Sequence, residues 1–408
     1  MSQKSSFFDL VALEAFRKQH KLEPYRIKQI TDAIFKQSII DFQEMTILSK
    51  EMRDLFDANF EIISLKVSKL VEDDETSKFL FETSTGEILE TVLMYHYHDN
   101  SKALFARNEA LQEGKKLKIN WLDSSHPQSD SYVNKNDDEW QELNRMTLCV
   151  SSQVWCAVGC IFCVTGKMWL KKNLHRTEIL SQVLYVNNFI RSKLGKKDDN
   201  TLHKIRNVVF MGMGEPLMNY PAVRETIWYL TDTKYLWLSR KRVTVSTSGI
   251  LKPLLEFIED GLPVSLAFSL HAPTQELREQ LVPIMAKINP LDKLMAALDS
   301  YTNKTGNKIF YEYVMIKDRN DMREVAHELW KLLQHRDAHL NLIPYNQNPT
   351  IDLEESTPER IKKFRDIVES YKVTVTVREN RGRKANSACG QLGWEKVTEK
   401  MAEKNSTE

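Results

Sequence analysis

From residue 145 to residue 377 the chain alternates between two hydrophobic periods, and few folds satisfy that pattern. Apolar, β-branched runs recur at "MTLCV", "RNVVFM", "RVTVST", "PVSLAFSL", "KIFYEYVMI", "HLNLIP" and "KVTVTVR". Between most of them, apolar residues fall at three-and-four spacing, over 177–193, 221–232, 250–260, 290–303, 321–335 and 357–370. Strand–helix alternation of this kind predicts parallel βα units. The strands are nearly continuous in apolar residues, as expected when both faces of a sheet are covered. Six or so such units predict a barrel, or part of one, with its site at the C-terminal ends of the strands.

The rest of the chain divides around this core. Residues 8–60 hold three amphipathic patterns, "LVALEAFRKQH", "YRIKQITDAIFKQ" and "SKEMRDLFDANF", broken near Pro24 and Asp41. They predict a small N-terminal helical domain, set at 1–70. The runs "KFLFET" and "ILETVLMYH", joined through "STGE", predict a hairpin and a β extension over 71–99. Residues 100–143 are rich in Ser, Asn, Asp and Lys and read as an exposed polar insertion. The barrel is placed at 144–394, and 395–408 as a charged tail.

A length of 408 residues fits two or three domains, and a hydrophobic content of 42% supports a real core. The net charge of +1 excludes a generic polyanion binder but leaves room for local basic patches. The start, "MSQKSSFFDLVALEAF", lacks a cationic stretch followed by an apolar run, and no apolar run reaches the ~18 residues of a membrane span. A soluble, cytoplasmic protein with no membrane contact is expected. The five cysteines are Cys149, Cys156, Cys160, Cys163 and Cys389. An odd count with three clustered points to metal or catalysis in a reducing compartment rather than to disulfide staples.

The cluster is "CAVGCIFC", Cys156 to Cys163, on a loop just past the strand "MTLCV". Thiolates ligate both zinc and iron–sulfur clusters. A closed zinc site needs a fourth ligand, for which His175 is the candidate. A four-iron–four-sulfur cluster on three cysteines would instead leave one iron open to a small molecule, and the C-x3-C-x2-C spacing favours it. The second motif is "FMGMGEPLMN", residues 210–219. Its glycines would let backbone approach a ligand closely, and Glu215 could accept bonds from an ammonium group. An ordinary strand-to-helix turn is the rival reading. Ser246, Ser248, Ser269, His271 and Asn346 stand at further strand ends. Singly each is more often a cap or turn residue; together they ring one end of a barrel. Cys149 lies seven residues before the cluster. Cys389, in "NSACGQL", follows the cationic stretch "RENRGRK", and a thiol near cations is more reactive. Basic runs at 167–176, 239–242 and 378–384 bracket the site and fit phosphate contacts to RNA.

These stretches together resemble the radical SAM adenosine methyltransferases of the RlmN/Cfr family. The matching segments are "MTLCVSSQ", "CAVGCIFCVTGK", "VVFMGMGEPLMN", "RVTVSTSG", "FSLHAP", "YEYVMIKDRND", "LNLIPYN" and "ACGQL". The helical start, "PYRIKQITDAIF" then "FQEMTILSK", is similar to the family's N-terminal domain. The resemblance implies an α/β fold, a partial (β/α)6 radical SAM barrel. It implies methyl transfer to an adenine ring carbon in RNA, and the "GEPL" form points to carbon 2 in 23S rRNA and some tRNAs. Carbon-8 methylation, a zinc-stapled RNA-binding module, and a radical SAM enzyme acting on a small molecule or peptide are the alternatives.

Carried over by motif position, Cys156, Cys160 and Cys163 would hold a 4Fe-4S cluster. Gly214, Glu215, Ser246, Ser269, Leu270, His271 and Asn346 would hold S-adenosylmethionine (SAM), two of which are used per turnover. Cys389 would carry the methyl group, Cys149 would be its partner, and Glu90 in "ILETVL" would handle a proton. An aromatic C–H carbon is not nucleophilic, so the family's route methylates Cys389 first. It then uses a SAM-derived radical to activate that methyl, and releases product by attack of Cys149 on the Cys389 sulfur. The resemblance also implies an electron donor such as flavodoxin or ferredoxin, and a monomer. The chain departs from the family in three places. About forty residues separate "ETVL" from "TLCVSSQ"; Trp155 and Trp169 stand where glycine is common; and the stretch before Cys389 is basic.

Overall fold

The computed structural model describes residues 4–97, 143–195, 201–371, 373–378 and 386–393. The chain opens with a short strand, β1 (Ser5–Ser6), and three helices, α1 (Leu10–Gln19), α2 (Pro24–Gln37) and α3 (Lys50–Asn59). Each start follows from its residues. The Asp9 carboxylate accepts from the amides of Val11 and Ala12, both at 3.1 Å. Pro24 occupies the first turn of α2, where a missing N–H costs nothing. Ser49 caps α3. With β2 (Phe60–Glu61) paired to β1, these helices enclose an aromatic core of Phe7, Phe8, Phe16, Phe35, Phe42, Phe56 and Phe60. Phe56 is fully buried, and truncating such a ring costs about 3–5 kcal/mol. Leu180, Leu184 and Tyr229 of the following domain belong to the same core, so the helical unit is docked by apolar packing.

The main sheet has ten strands. Three are antiparallel: β3 (Lys66–Glu72), β4 (Thr76–Glu82) and β5 (Ile88–Tyr97). β3 begins inside the stretch assigned to the helical domain. Next comes β6 (Leu143–Cys149), antiparallel to β5. A two-residue pair, β7 (Gln153–Val154) and β8 (Lys172–Asn173), brackets the cysteine loop. Six further strands follow: β9 (Asn207–Phe210), β10 (Val243–Thr247), β11 (Ser265–Ser269), β12 (Ile309–Met315), β13 (Ala338–Pro344) and β14 (Thr374–Val377). β6 and these six are all parallel, in sequence order across the sheet. The far side of β6 is taken by β5, so β14 does not close against it. The result is a partial barrel, and the seven parallel strands match the seven apolar runs.

The six helical patterns are α4 (Arg176–Leu194), α5 (Tyr220–Thr231), α6 (Leu251–Asp260), α9 (Leu291–Thr305), α10 (Arg323–Leu333) and α11 (Pro358–Glu369). Two short helices after β11, α7 (Gln275–Leu281) and α8 (Pro283–Ile288), have no counterpart in the sequence reading. Among the described residues, no helix is long and apolar enough to cross a membrane. The polar insertion, the charged tail and all of the 378–384 basic run except Arg378 lie outside the described residues.

Candidate active site

Parallel strands bring their C-terminal ends to one side of the sheet, and the sequence-predicted residues gather there. Cys149 is the last residue of β6. Cys156, Cys160 and Cys163 lie on the loop between β7 and β8. That loop is held by its own backbone: Cys163 N–H donates to the Cys160 carbonyl at 3.2 Å, and Gly166 N–H to the Cys163 carbonyl at 3.2 Å. The Ile161 amide reaches Leu281 of α7 at 3.1 Å. Burial pushes the Cys156 and Cys160 thiols up, and the charge of neighbouring Cys163 pushes both further. Three thiols on one loop, one buried and two half-buried, within electrostatic reach of one another fit a thiolate-ligated inorganic group, which removes the cost of ionising them. His175, the candidate fourth zinc ligand, is used elsewhere. It caps α4, with its Nδ1 2.9 Å from the Thr177 hydroxyl and its amide donating to Glu178 at 2.8 Å.

The "GMGEPL" turn follows β9. Its glycines answer to protein packing. A Cβ on Gly214, at φ +100°, would stand 2.5 Å from the Gln153 Cβ, and one on Gly212 would stand 2.7 Å from the Val150 carbonyl oxygen. Glu215 is buried and accepts three bonds: from Leu217 N–H at 3.0 Å, Ser248 N–H at 2.7 Å and Ser248 Oγ at 2.8 Å. Burial raises its pKa while the Ser248 bonds oppose the rise. Ser246 and Ser269 face each other across β10 and β11, hydroxyl oxygens 3.5 Å apart. Leu270 and His271 follow β11, both with amides directed to the Glu312 carbonyl of β12. His271 sits at φ +57°, edge-on to Phe162 at 4.8 Å. Its Nδ1 accepts from Val314 N–H at 3.1 Å, which places the ring proton on Nε2. Burial pulls its pKa down to about 3, so the ring is neutral.

Four residues the sequence reading passed over organise this end. Arg278 on α7 is fully buried and donates to the strand-end carbonyls of Ser269 at 2.9 Å and Leu270 at 2.5 Å, and to Ser248. Burial lowers its pKa to about 10, opposed by Cys160 and Glu215. Ser151 ties β5 to the β9 turn: its hydroxyl donates to the Glu90 carbonyl at 2.5 Å and accepts from Met213 N–H at 2.8 Å. Gln153 accepts from Glu215 N–H at 2.8 Å. Lys78 on β4 is fully buried with its ammonium 3.7 Å from the Glu90 carboxylate. The only sequence signal was the "SSQ" that follows the Cys149 strand.

Cys389 reaches the site from the other end of the chain. Its loop is held by remote partners. Val164 N–H donates to the Gly390 carbonyl at 3.0 Å, and Thr165 Oγ1 to Leu392 O at 3.0 Å. Asn346 Nδ2 donates to the Cys389 carbonyl at 3.1 Å, which ties the cysteine loop to the end of β13. Lys78 Nζ lies 3.5 Å from the Asn386 carbonyl, and the Thr76 and Ser387 hydroxyls are 3.1 Å apart. Gly393 lies flat on the buried indole of Trp155; a Cβ there would be 2.3 Å from Cζ3. Trp155 is therefore the floor under this loop. Cys389 is exposed to solvent yet its thiol is pushed up to about 11 by desolvation first and then by Cys163. The Cys149 thiol is pushed up to about 12 by burial and then by Cys389.

The basic runs divide. Residues 167–176 border the cysteine loop, with Lys167 donating to the Thr350 carbonyl at 2.7 Å. The 239–242 run precedes β10 and so lies at the opposite end of the strands. It does not bracket the site, because residues entering a parallel strand stand at the face its C-terminus leaves.

Comparison with known proteins agrees with this arrangement. The family model of the radical SAM superfamily matches residues 150–329, and that of the ribosomal RNA large subunit methyltransferase N-terminal domain matches residues 7–62. A probable dual-specificity RNA methyltransferase RlmN of Dictyoglomus thermophilum is 36% identical, covering 90% of each chain. The dual-specificity RNA methyltransferase RlmN of Psychrobacter arcticus is 38% identical over 91% of this chain and 82% of its own. A radical SAM methyltransferase from Sphaerobacter thermophilus superposes with a TM-score of 0.78 at 32% identity, covering 96% of this chain and 99% of that one. The family uses a 4Fe-4S cluster and SAM. With the fold, the gathered cysteines and these relatives in agreement, the chain belongs to the RlmN family of radical SAM RNA methyltransferases.

Proposed function

We propose that this chain methylates carbon 2 of an adenine in 23S ribosomal RNA and in transfer RNA, with the methyl carbon carried on Cys389. The observation that carries this reading is that Cys389, 240 residues beyond Cys149 in sequence, lies close enough to raise the Cys149 thiol, and is itself raised by Cys163. The printed description of the relatives as dual-specificity RNA methyltransferases supports the two RNA classes.

Cys156, Cys160 and Cys163 would hold the cluster, leaving one iron without a protein ligand. When bound, cluster and SAM supply one-electron chemistry able to remove a hydrogen atom from an unactivated methyl group. The chain does the rest. Glu215, Ser246, Ser269, Leu270, His271 and Asn346 ring the SAM position, with Gly214 fixing the turn beneath Glu215. Cys389 presents its methyl carbon to the adenine, forming a carbon–carbon bond. Glu90, held beside Lys78, takes the ring proton. Cys149 then attacks the Cys389 sulfur. Before this the adduct gives up its odd electron to the electron carrier; as the Cys389 sulfur–carbon bond breaks, the released methylene carbon takes up a proton and becomes the methyl group, and a Cys149–Cys389 disulfide forms that external thiol reduces. An electron donor of the flavodoxin or ferredoxin kind completes the cycle.

The test uses the Cys149→Ala variant with intact tRNA or ribosomal RNA. Covalent RNA–protein adduct should accumulate, and digestion of RNA from wild-type reactions should yield 2-methyladenosine by mass spectrometry. Free methylated RNA from the variant at the wild-type yield would remove Cys149 from the mechanism. A wild-type product of 8-methyladenosine would overturn the assignment of carbon 2.

A further inference from the structure

The face opposite the cysteines carries a feature that the methyl transfer does not use. Trp237 is 71% exposed, and its backbone sits at φ +51°. Both conditions are unfavourable: positive φ costs of order 1 kcal/mol or more in a bulky residue, and an exposed indole forgoes its burial. The chain enforces them. On one side Leu236 N–H donates to the Tyr229 carbonyl at 3.3 Å, and on the other Leu238 N–H donates to Leu230 at 2.7 Å. Both leucines pack against the core, so the residue between them is turned outward. Trp228, 43% exposed, stands on the same α5 end, edge-on to Tyr235 at 5.0 Å.

Cations follow Trp237 closely in the chain. Arg240, Lys241 and Arg242 form the exposed turn that enters β10. β9 and β10 pair with Val208 opposite Val243, which sets exposed Arg206, two residues before Val208, at the edge of the same turn. Arg242 donates to the neutral Asn207 side chain at 3.0 Å. Among the described residues, no carboxylate forms an ion pair with Arg206, Arg240, Lys241 or Arg242. Aromatic faces interleaved with unneutralised cations are what a nucleic acid backbone and an unstacked base require. The five residues of β10 place this patch about 17 Å from the catalytic end.

We infer that Trp237 with Arg206, Arg240, Lys241 and Arg242 forms a second RNA-binding surface, which holds substrate RNA at a point remote from the adenine being modified. The inference rests on the reading of the chain as an RNA methyltransferase. A folded RNA is large enough to touch both faces. A short stem-loop carrying only the target adenine is not.

The experiment compares an intact tRNA transcript with a stem-loop of about 17 nucleotides, binding both to the cluster-loaded protein at several salt concentrations. The double variant Arg240→Glu/Lys241→Glu should weaken tRNA binding by about 10-fold or more and flatten its salt dependence by about two charges. Trp237→Ala should weaken it by about 5-fold or more, and Trp237→Phe should restore it. Stem-loop affinity and iron content should stay at wild-type levels. Equal loss on both RNAs, or no loss on either, overturns the inference; the second result is also what a patch covered by another part of the chain would give. If wild-type protein methylates neither RNA, the functional reading itself has failed. Normal methylation with unaltered tRNA binding by the variants defeats only the second surface.

Discussion

Two loops meet at the open end of the barrel, and they are built on opposite principles. The loop from Cys156 to Cys163 is set mainly by local backbone bonds, Cys163 to Cys160 and Gly166 to Cys163, with one tie from Ile161 to Leu281 of α7. The loop around Cys389 has little internal structure. It lies where Thr76, Lys78, Trp155, Val164, Thr165 and Asn346 put it, from four distant parts of the chain. The first suits a permanent inorganic group, whose ligands must not drift. The second suits the role proposed for Cys389, whose sulfur would bond first to a methyl carbon and later to the sulfur of Cys149. A site that needs one rigid and one movable set of thiols can obtain the first from local sequence and the second only from tertiary contacts.

The largest test of this contrast strikes the self-contained loop. Cys160→Ala should drop iron from about four per chain to near zero and reduce methylation by at least about 10³-fold, read by iron assay and product analysis. Retention of a full cluster would mean that some other residue is a ligand. The second test strikes the dependent loop alone. Gly393→Ala puts a methyl 2.3 Å from the Trp155 ring at φ +88°, and the strain of about 1–3 kcal/mol is relieved by lifting the loop. Alkylation of Cys389 should quicken about 10-fold while iron content holds. Loss of iron in that variant would show that the two loops are one unit.

A smaller effect comes from the wall behind the cysteine loop. His271 is neutral in the fold, with a pKa near 3 against an ordinary 6.5, chiefly through burial. The unfolded chain therefore binds more protons between those values. Stability should fall as pH drops from about 6.5 toward 3, by on the order of a few kcal/mol, and be flat above. His271→Gln should lose that slope in urea titrations at pH 4.5 and 7.5; an unchanged slope would place a charged histidine in the site. The smallest effect is at Trp169, 66% exposed at φ +51° where the cysteine loop leaves. Trp169→Gly relieves backbone strain and should stabilise the fold by about 1 kcal/mol, a rise of roughly 2 °C in melting temperature.

The same contrast explains what could be read from sequence. Strands and helices of the barrel show in their periods, and the C-x3-C-x2-C loop shows in its spacing, because both are local. Arg278 does not, since nothing in "QELREQL" marks one arginine as fully buried beneath three strand-end carbonyls. Nor does Trp155, whose partner Gly393 lies 238 residues away. The basic run at 239–242 was legible but misplaced. Its position just before a parallel strand already assigns it to the far face.

The pairing of β5 with β6 has a bearing on how such a chain can change over generations. Cys149 ends β6, in register with Val92 of β5 and Val209 of β9. A slip of one residue would turn its thiol to the other side of the sheet. Yet β6 follows directly on the long stretch between Tyr97 and Leu143. The six paired positions between Val92 and Tyr97 set the register after that stretch, whatever its length. Residues gained or lost there would leave the sulfur in place, so the catalytic end is insulated from a change of length in that part of the sequence.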